Sequence, residues 1–275
     1  MANVHDAAAW NGETGERWVR MSDMMDSVLA PAGDLLLQQA GPTSGKYVLD
    51  IGCGAGATSL RAARIVVPDG MVTGLDVSGP LIGEARRRLA NAKLTNATFE
   101  HGDAAHWSAP APYDIAMSRF GVMFFDDPPG AFANIRKALK PGGEMVAITW
   151  NRPELAELFS LPKQVISPFL KYPPPAQNLY EPGPFGLSDE VYTRKVLEQA
   201  GWSDISITAQ DLVLKVAPEH IRDFYNNTPL PALVDAQELD EGPIRAAFTA
   251  ALEDRRDDSG SACLKSGVWV VRARA

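Results

Sequence analysis

The chain predicts an α/β domain built on a doubly wound, mainly parallel sheet. Short apolar runs alternate with helix-spaced segments through the first 150 residues, and the first run ends in a loop with glycine at alternate positions, Gly52-Cys53-Gly54-Ala55-Gly56. Strand and helix taking turns imply parallel strands, because each return to the sheet crosses one of its faces. The chain has 275 residues, 45% of them hydrophobic, enough for a buried core.

Strands are expected at Tyr47 to Ile51, Met71 to Asp76, Ala97 to Glu100, Asp114 to Ser118 and Glu144 to Trp150. Helical spacing falls between them, at Ser59 to Val67, Pro80 to Asn91 and Pro128 to Leu139. Asp127 is placed to accept from free amides at the start of the third helix, with Pro128 or Pro129 where no donor is needed. Capping explains Asp127 without a metal, the other role open to the Asp126-Asp127 pair. The same helix is expected to stop at Lys140-Pro141-Gly142-Gly143.

From Pro153 to Pro184 the chain carries eight prolines interleaved with Phe159, Phe169, Tyr172 and Tyr180. That composition predicts an ordered loop over a pocket rather than a strand or long helix. A helix is expected at Ser188 to Ala200 and a strand at Ile205 to Val216. Helical pieces follow at Pro218 to Asn226 and Pro243 to Arg255, with a last strand at Val268 to Ala273.

Lys and Arg total 26 against 34 Asp and Glu, a net charge of -8 without a long basic run, so nucleic acid is not the expected partner. The first residues lack a secretory signal pattern, and nowhere do enough apolar residues run together to span a membrane. Cys53 and Cys263 form neither a disulfide framework nor a zinc motif, which points to the cytoplasm. The sequence does not fix the oligomeric state.

The glycine loop raises the question of its ligand. Gly52, Gly54 and Ala57 satisfy the dinucleotide fingerprint, with Asp76 where a ribose-binding acid is expected. Asp50, two positions before the first glycine, fits that reading badly, since a carboxylate would face pyrophosphate. A cation suits it better. S-adenosyl-L-methionine carries an ammonium and a sulfonium, and its carboxylate can take amides at a helix N-terminus.

VLDIGCGAG at 48–56, GLDVS at 74–78, GDA at 102–104, YDIAMSRFGVMFFDD at 113–127 and IRKALKPGG at 135–143 occur in that order. In these motifs the chain resembles the class I S-adenosylmethionine-dependent methyltransferases, of the branch similar to ubiquinone and menaquinone biosynthesis methyltransferases. The resemblance implies a Rossmann-like seven-stranded sheet with an antiparallel C-terminal strand, plus helical cap insertions. It divides the chain into an N-terminal helical cap over the cofactor at 1–45, a cofactor-binding core at 46–150, a proline- and aromatic-rich insertion at 151–187, and a C-terminal completion of the sheet at 188–275 with a helical insertion at 217–262.

Carried over by position, Gly52, Gly54 and Gly56 form the floor under the methionine moiety, and Asp50 orients that loop and the ammonium. Asp76, with Val77 beside it, accepts from the ribose hydroxyls, since a carboxylate offers two acceptor oxygens. Asp103 accepts from the adenine amino group, Ala104 supplies an amide and Leu81 an apolar wall. Ser118, Arg119 and Phe120 face the sulfonium and acceptor. Trp10 and Trp18 belong to a segment that many relatives fold over the cofactor, where an aromatic face attracts a sulfonium.

The methyl of a sulfonium is already activated, so a base is needed only for a nucleophile that starts protonated. Of His5, His101, His106 and His220, His106 is the candidate, because it follows the adenine loop. Cys53 reads as a small spacer rather than a nucleophile, having no activating base. Phe159, Tyr172, Phe224 and Tyr225 suggest a partly apolar small-molecule acceptor. An NAD(P)-dependent oxidoreductase and a non-catalytic nucleotide-binding module are the two other readings of the loop; for the first, a Tyr-x-x-x-Lys pair is not found.

Overall fold

The computed structural model describes residues 7–174 and 178–275. His5 and Pro175 lie outside the described residues. Helices α1 (Ala7–Trp10), α2 (Glu13–Val28) and α3 (Ala30–Ala40) precede β1 (Tyr47–Ile51). The chain continues as α4 (Ala57–Ile65), β2 (Met71–Asp76), α5 (Gly79–Ala92), β3 (Ala97–His101), β4 (Tyr113–Arg119), α6 (Pro128–Lys137) and β5 (Leu139–Trp150). It ends with α7 (Glu157–Ile166), α8 (Glu190–Gln199), β6 (Ser203–Val216), α9 (Ile221–Phe224), α10 (Leu230–Gln237), α11 (Glu241–Glu253) and β7 (Ala262–Arg274).

Among the described residues seven strands form one sheet in the order β3-β2-β1-β4-β5-β7-β6. Pairs from β3 through β5 are parallel, while β7 runs antiparallel to both β5 and β6. Val48, Leu49, Ala116, Met117, Met145 and Val146 at the centre are all buried. Near-continuous apolar strands of this kind arise where helices cover both faces of a sheet. One set of neighbours is α3, α4 and α5, another is α6 and α8, and right-handed crossovers put the two sets on opposite faces. The order reverses between β1 and β4, which opens a crevice at the carboxyl ends of those strands.

Local chemistry sets the element ends. Asp127 caps α6 by accepting from the Gly130 amide at 3.2 Å, and Asp189 caps α8 by accepting from Tyr192 at 2.8 Å. Trp202, which follows α8, donates from Nε1 to the Phe132 carbonyl at 3.0 Å and so pins α8 to α6.

Two expectations change. The third helix ends at Lys137 rather than Leu139, because Leu139 already pairs with Tyr113 as the first residue of β5. Residues 140–143 then bulge out before Glu144 pairs with Ile115, with Gly142 at φ 76° making the turn. The proline-rich insertion contains α7, ten residues long with Pro162 inside it. An interior proline costs a helix about 3 kcal/mol, offset here by burial of Leu161, Pro162 and Ile166.

Met117 sits at the middle of β4 with no exposed surface. Met117→Ala is expected to lower the free energy of unfolding by about 2–5 kcal/mol in urea titrations. A loss below about 1 kcal/mol would contradict a close-packed sheet centre.

Candidate functional site

The crevice holds a cavity of 1670 Å³ that extends from the tips of β1, β2 and β4 under α2 and the C-terminal insertions. Its floor is the turn from β1 into α4. Gly52, Gly54 and Gly56 take φ of 64°, 56° and 84°, a region that disfavours side chains. A Cβ at Gly52 would lie 2.5 Å from the Gly121 Cα, so the backbones after β1 and β4 touch. At Gly54 nothing lies within 4 Å of that position, and the loop opens there to the cavity.

The loop is held from β2. Gly52 and Cys53 donate their amides to the Leu75 carbonyl at 2.8 and 3.1 Å. Asp76 accepts the Gly54 amide on Oδ2 and the Ser78 amide on Oδ1, both at 2.8 Å. Each oxygen keeps a lone pair for a ligand, and Asp76 lines the cavity. Burial pushes its carboxyl up, against the pull of the Ser78 and Gly54 amides. Among the described residues no side chain caps α4, so the first amides of that helix have no side-chain acceptor there.

Of the residues singled out in the sequence, Gly52, Gly54, Asp76, Val77, Leu81, Asp103, Ala104, Arg119 and Trp18 line this one cavity. Asp103 turns its Oδ1 to the Ala105 amide at 2.9 Å, an Asx turn that fixes the loop after β3. His106 is exposed at the rim, whereas His101 sits off the cavity with its Nε2 3.0 Å from the Val77 carbonyl.

Asp50, Gly56 and Ser118 stand behind the wall rather than on it. Asp50 has no exposed surface and accepts on Oδ2 from the Thr58 and Ser59 hydroxyls, both at 2.6 Å. It ties β1 to the first turn of α4, and its Oδ1 has no partner among the described residues. Gly56 is packed against Phe99, which a Cβ would approach to 2.7 Å. Ser118 donates to the Ile51 carbonyl at 2.8 Å and accepts from the Gly121 amide at 3.1 Å, locking β1 to the turn after β4.

Cys53 is buried, and burial followed by the Asp76 and Asp50 charges pushes its thiol well up. A thiol so placed is a poor nucleophile.

The N-terminal helices close the crevice through contacts that the sequence did not disclose. Asn11 donates from Nδ2 to the Val77 carbonyl at 2.8 Å and accepts from the Gly79 amide at 2.9 Å. Ser78 donates to the Trp10 carbonyl at 2.8 Å, and a Cβ on Gly15 would lie 2.1 Å from that same oxygen. Trp10 packs on Trp18 and Phe124 at ring distances of 6.1 and 5.8 Å. On α2, Asp26 accepts from Arg119 at 2.8 Å on one oxygen and from Arg88 at 2.6 Å on the other. Asp26 is one acid among several in an amphipathic helix, so its letter alone carried no signal.

A ring wall faces the far side. Phe120, at φ 64° after β4, stacks on Trp150 with centroids 4.0 Å apart. Trp150 meets Phe159 edge-on at 5.2 Å, and Phe159 meets Phe185 at 4.9 Å. Tyr172 and Tyr225, named with Phe159 and Phe224 as acceptor contacts, do not line the cavity. Tyr225 is buried against Phe248 and Arg245 instead.

Asp50 yields a pH prediction. Burial, opposed by the Ser59 and Thr58 hydroxyls and by Arg119, pushes its carboxyl from the ordinary 3.8 up to about 6. Between those values the folded chain holds a proton that the unfolded chain has released, so this group's contribution to stability falls as pH rises through the window. Asp50→Asn cannot titrate. Its unfolding free energy should gain on that of the parent by roughly 3 kcal/mol between about pH 4 and about pH 7, whatever its constant offset. A difference that stays flat with pH would refute the assignment.

Comparison with known proteins gives a consistent set of matches. Residues 48–143 match the model of a methyltransferase domain. Aklanonic acid methyltransferase DauC of Streptomyces sp. (strain C5) is 36% identical over 116 residues, covering 42% of this chain and 53% of that protein. Demethylmenaquinone methyltransferase of Listeria monocytogenes serotype 4a (strain HCC23) is 30% identical over 129 residues, 46% of this chain and 53% of that protein. The chain thus spans about half the length of these curated relatives. Among solved structures, the YcgJ protein of Bacillus subtilis superposes with a TM-score of 0.56 at 16% identity, over 88% of this chain and 97% of that one. At that identity the likeness concerns the fold.

Proposed function

We propose, on the premise that residues 48–143 are a methyltransferase domain, that this chain transfers the methyl group of S-adenosyl-L-methionine to a small organic acceptor and releases S-adenosylhomocysteine. The observation that carries the reading is the convergence of Asp76, Asp103 and the open face of Gly54 on one cavity at the strand-order reversal. The residues present fit the cofactor. Asp76 keeps a lone pair on each oxygen to suit the ribose hydroxyls, and Asp103 with the Ala104 amide lines the cavity after β3 and suits an adenine edge. The first turn of α4, uncapped by any side chain, suits a carboxylate.

When bound, the cofactor supplies an activated methyl. The chain's own residues orient it and exclude water: Leu81 and Trp18 enclose the nucleoside, the Asn11 latch holds α1 and α2 down, and Arg119 stands at the tip of β4 towards the acceptor. His106, the one proton carrier named from the sequence, stands exposed at the rim. The names of the relatives, methyltransferases of aklanonic acid and of demethylmenaquinone, support a small-molecule acceptor over nucleic acid, as does the net charge of -8. No helix among the described residues is long and apolar enough to cross a membrane, and with both cysteines free we place the chain in the cytoplasm.

Calorimetry tests the reading. S-adenosylhomocysteine should bind the parent chain, and Asp76→Ala should weaken it roughly 10- to 100-fold, the effect of losing hydrogen bonds to a charged acceptor. An unchanged affinity in a variant with the parent circular dichroism would remove Asp76 from the site. Asn11→Ala should speed release of the same ligand by about tenfold in stopped-flow displacement while the thermal midpoint barely moves. An unaltered release rate would show that α1 is not a latch.

A further inference from the structure

The acceptor end of the cavity combines size, shape and a lack of bases. A volume of 1670 Å³ exceeds the roughly 300–1,000 Å³ of a pocket for one small ligand, so a nucleoside at the strand tips leaves a large space beside it. Phe120, Trp150, Phe159 and Phe185 form an unbroken run of ring contacts from the tip of β4 into the insertion, and all four line the cavity. Phe120 begins the run at positive φ, a strained conformation for a bulky residue. Leu158 of α7 and Leu230 of α10 extend the apolar wall. Phe120, Trp150 and Phe185 are buried at the back of this wall and fix half-buried Phe159, whose ring faces the cavity where a flat ligand can stack on it or meet it edge-on.

The ionisable lining residues divide cleanly. Asp26, Asp76, Asp103 and Arg119 are enclosed to a large degree. Asp76 and Asp103 belong to the proposed nucleoside side, and Asp26 gives one oxygen to each of two guanidiniums. The Cys53 thiol is held protonated by burial. Glu13 and Arg17 of α2, His106, and Asp126 and Asp127 before α6 are exposed at the rim. So are Glu154, Lys163 of α7 and Asp235 of α10. Among the described residues, therefore, no enclosed side chain is free to take a proton from a bound hydroxyl. Arg119 is the enclosed cation of the lining.

From these features, and resting on the methyl-transfer reading above, we propose that the acceptor is a flat, multi-ring, largely apolar oxygen acid that ionises by itself near neutral pH, and that its oxyanion is methylated without a base from the protein. The acceptor loses its proton to solvent before it is enclosed. A lone pair of the oxyanion then forms the new C–O bond as the methyl C–S bond breaks, and that bonding pair stays on sulfur. Oxyanion and sulfonium charges cancel, leaving a neutral methyl ether or ester and a neutral thioether. Loss of two opposite charges is favoured in an apolar, water-poor enclosure.

The test uses the whole chain with labelled S-adenosyl-L-methionine and five probes: a hydroxynaphthoquinone (an enol), a hydroxyanthraquinone (a phenol), a naphthoic acid (a carboxyl), a naphthylamine of matched size and a single-ring phenol. Label should appear on oxygen of at least one fused-ring acid, with kcat/KM about 100-fold above the naphthylamine and the single-ring phenol. The three oxygen acids separate enol, phenol and carboxyl as the source. The pH profile of kcat/KM should break at the pKa of each acceptor and move from one to the next. Phe159→Ala should raise the acceptor KM about tenfold with S-adenosylhomocysteine affinity unchanged, and Phe159→Leu should recover part of it. A break at one fixed pH for all acceptors, preference for the amine, or a KM indifferent to both variants would overturn the proposal. So would a protein that binds S-adenosylhomocysteine yet labels no fused-ring acid. Failure to bind S-adenosylhomocysteine would instead overturn the reading of the site itself.

Discussion

The contact between Gly52 and Gly121 is the constraint on which the crevice depends. Two backbones meet where β1 and β4 end, with no room for a single Cβ between them. The loop after β1 must therefore climb at positive φ, and Gly52, Gly54 and Gly56 supply that conformation at little steric cost. Asp76 then grips the loop from β2 through the Gly54 amide, and Ser118 grips it from β4 through the Ile51 carbonyl. Three strand tips thus fix the floor before any ligand arrives. The cost of this arrangement is electrostatic: Asp50 and Asp76 are buried near the ends of the neighbouring strands β1 and β2, and burial raises both carboxyls.

The cap is wired to this floor instead of resting on it. Asn11 bonds the same Val77–Gly79 turn that Asp76 organises through the Ser78 amide. Asp26 joins α2 to Arg88 on α5 and to Arg119 at the tip of β4. Movement of α1 and α2 must therefore disturb both the proposed ribose site and the cation nearest the proposed acceptor. That linkage gives a physical route by which the proposed cofactor and acceptor would influence each other, since both would bear on the same two helices.

Much of the core was legible because its physics is local. Alternating apolar runs gave the strands from β1 to β5, the glycine spacing gave the turn into α4, and Asp127 before two prolines gave the start of α6. The site was legible in part. A motif assigns a residue to a neighbourhood but not to a side of the wall, so Asp50, Gly56 and Ser118 were grouped with Asp76 and Asp103 although they support the floor from behind. Tertiary partners were opaque. Asp26 reaches Arg119 across 93 residues, and no local pattern marks such a pair. Proline density likewise concealed α7, because the burial that compensates Pro162 comes from the sheet and from other parts of the cap.

On the proposed reading, an adenosyl group attached to sulfur, and not a pyrophosphate, occupies the crevice at the tips of β1, β2 and β4. A crystal structure of the chain with S-adenosylhomocysteine tests it most directly. The expected electron density puts the ribose hydroxyls on the Asp76 carboxylate, the adenine edge at Asp103 and Ala104, and the thioether sulfur between Gly54 and the Phe120–Trp150 rings. A nucleoside bound elsewhere, or NAD laid with its phosphates over Gly52 and Gly54, would contradict it.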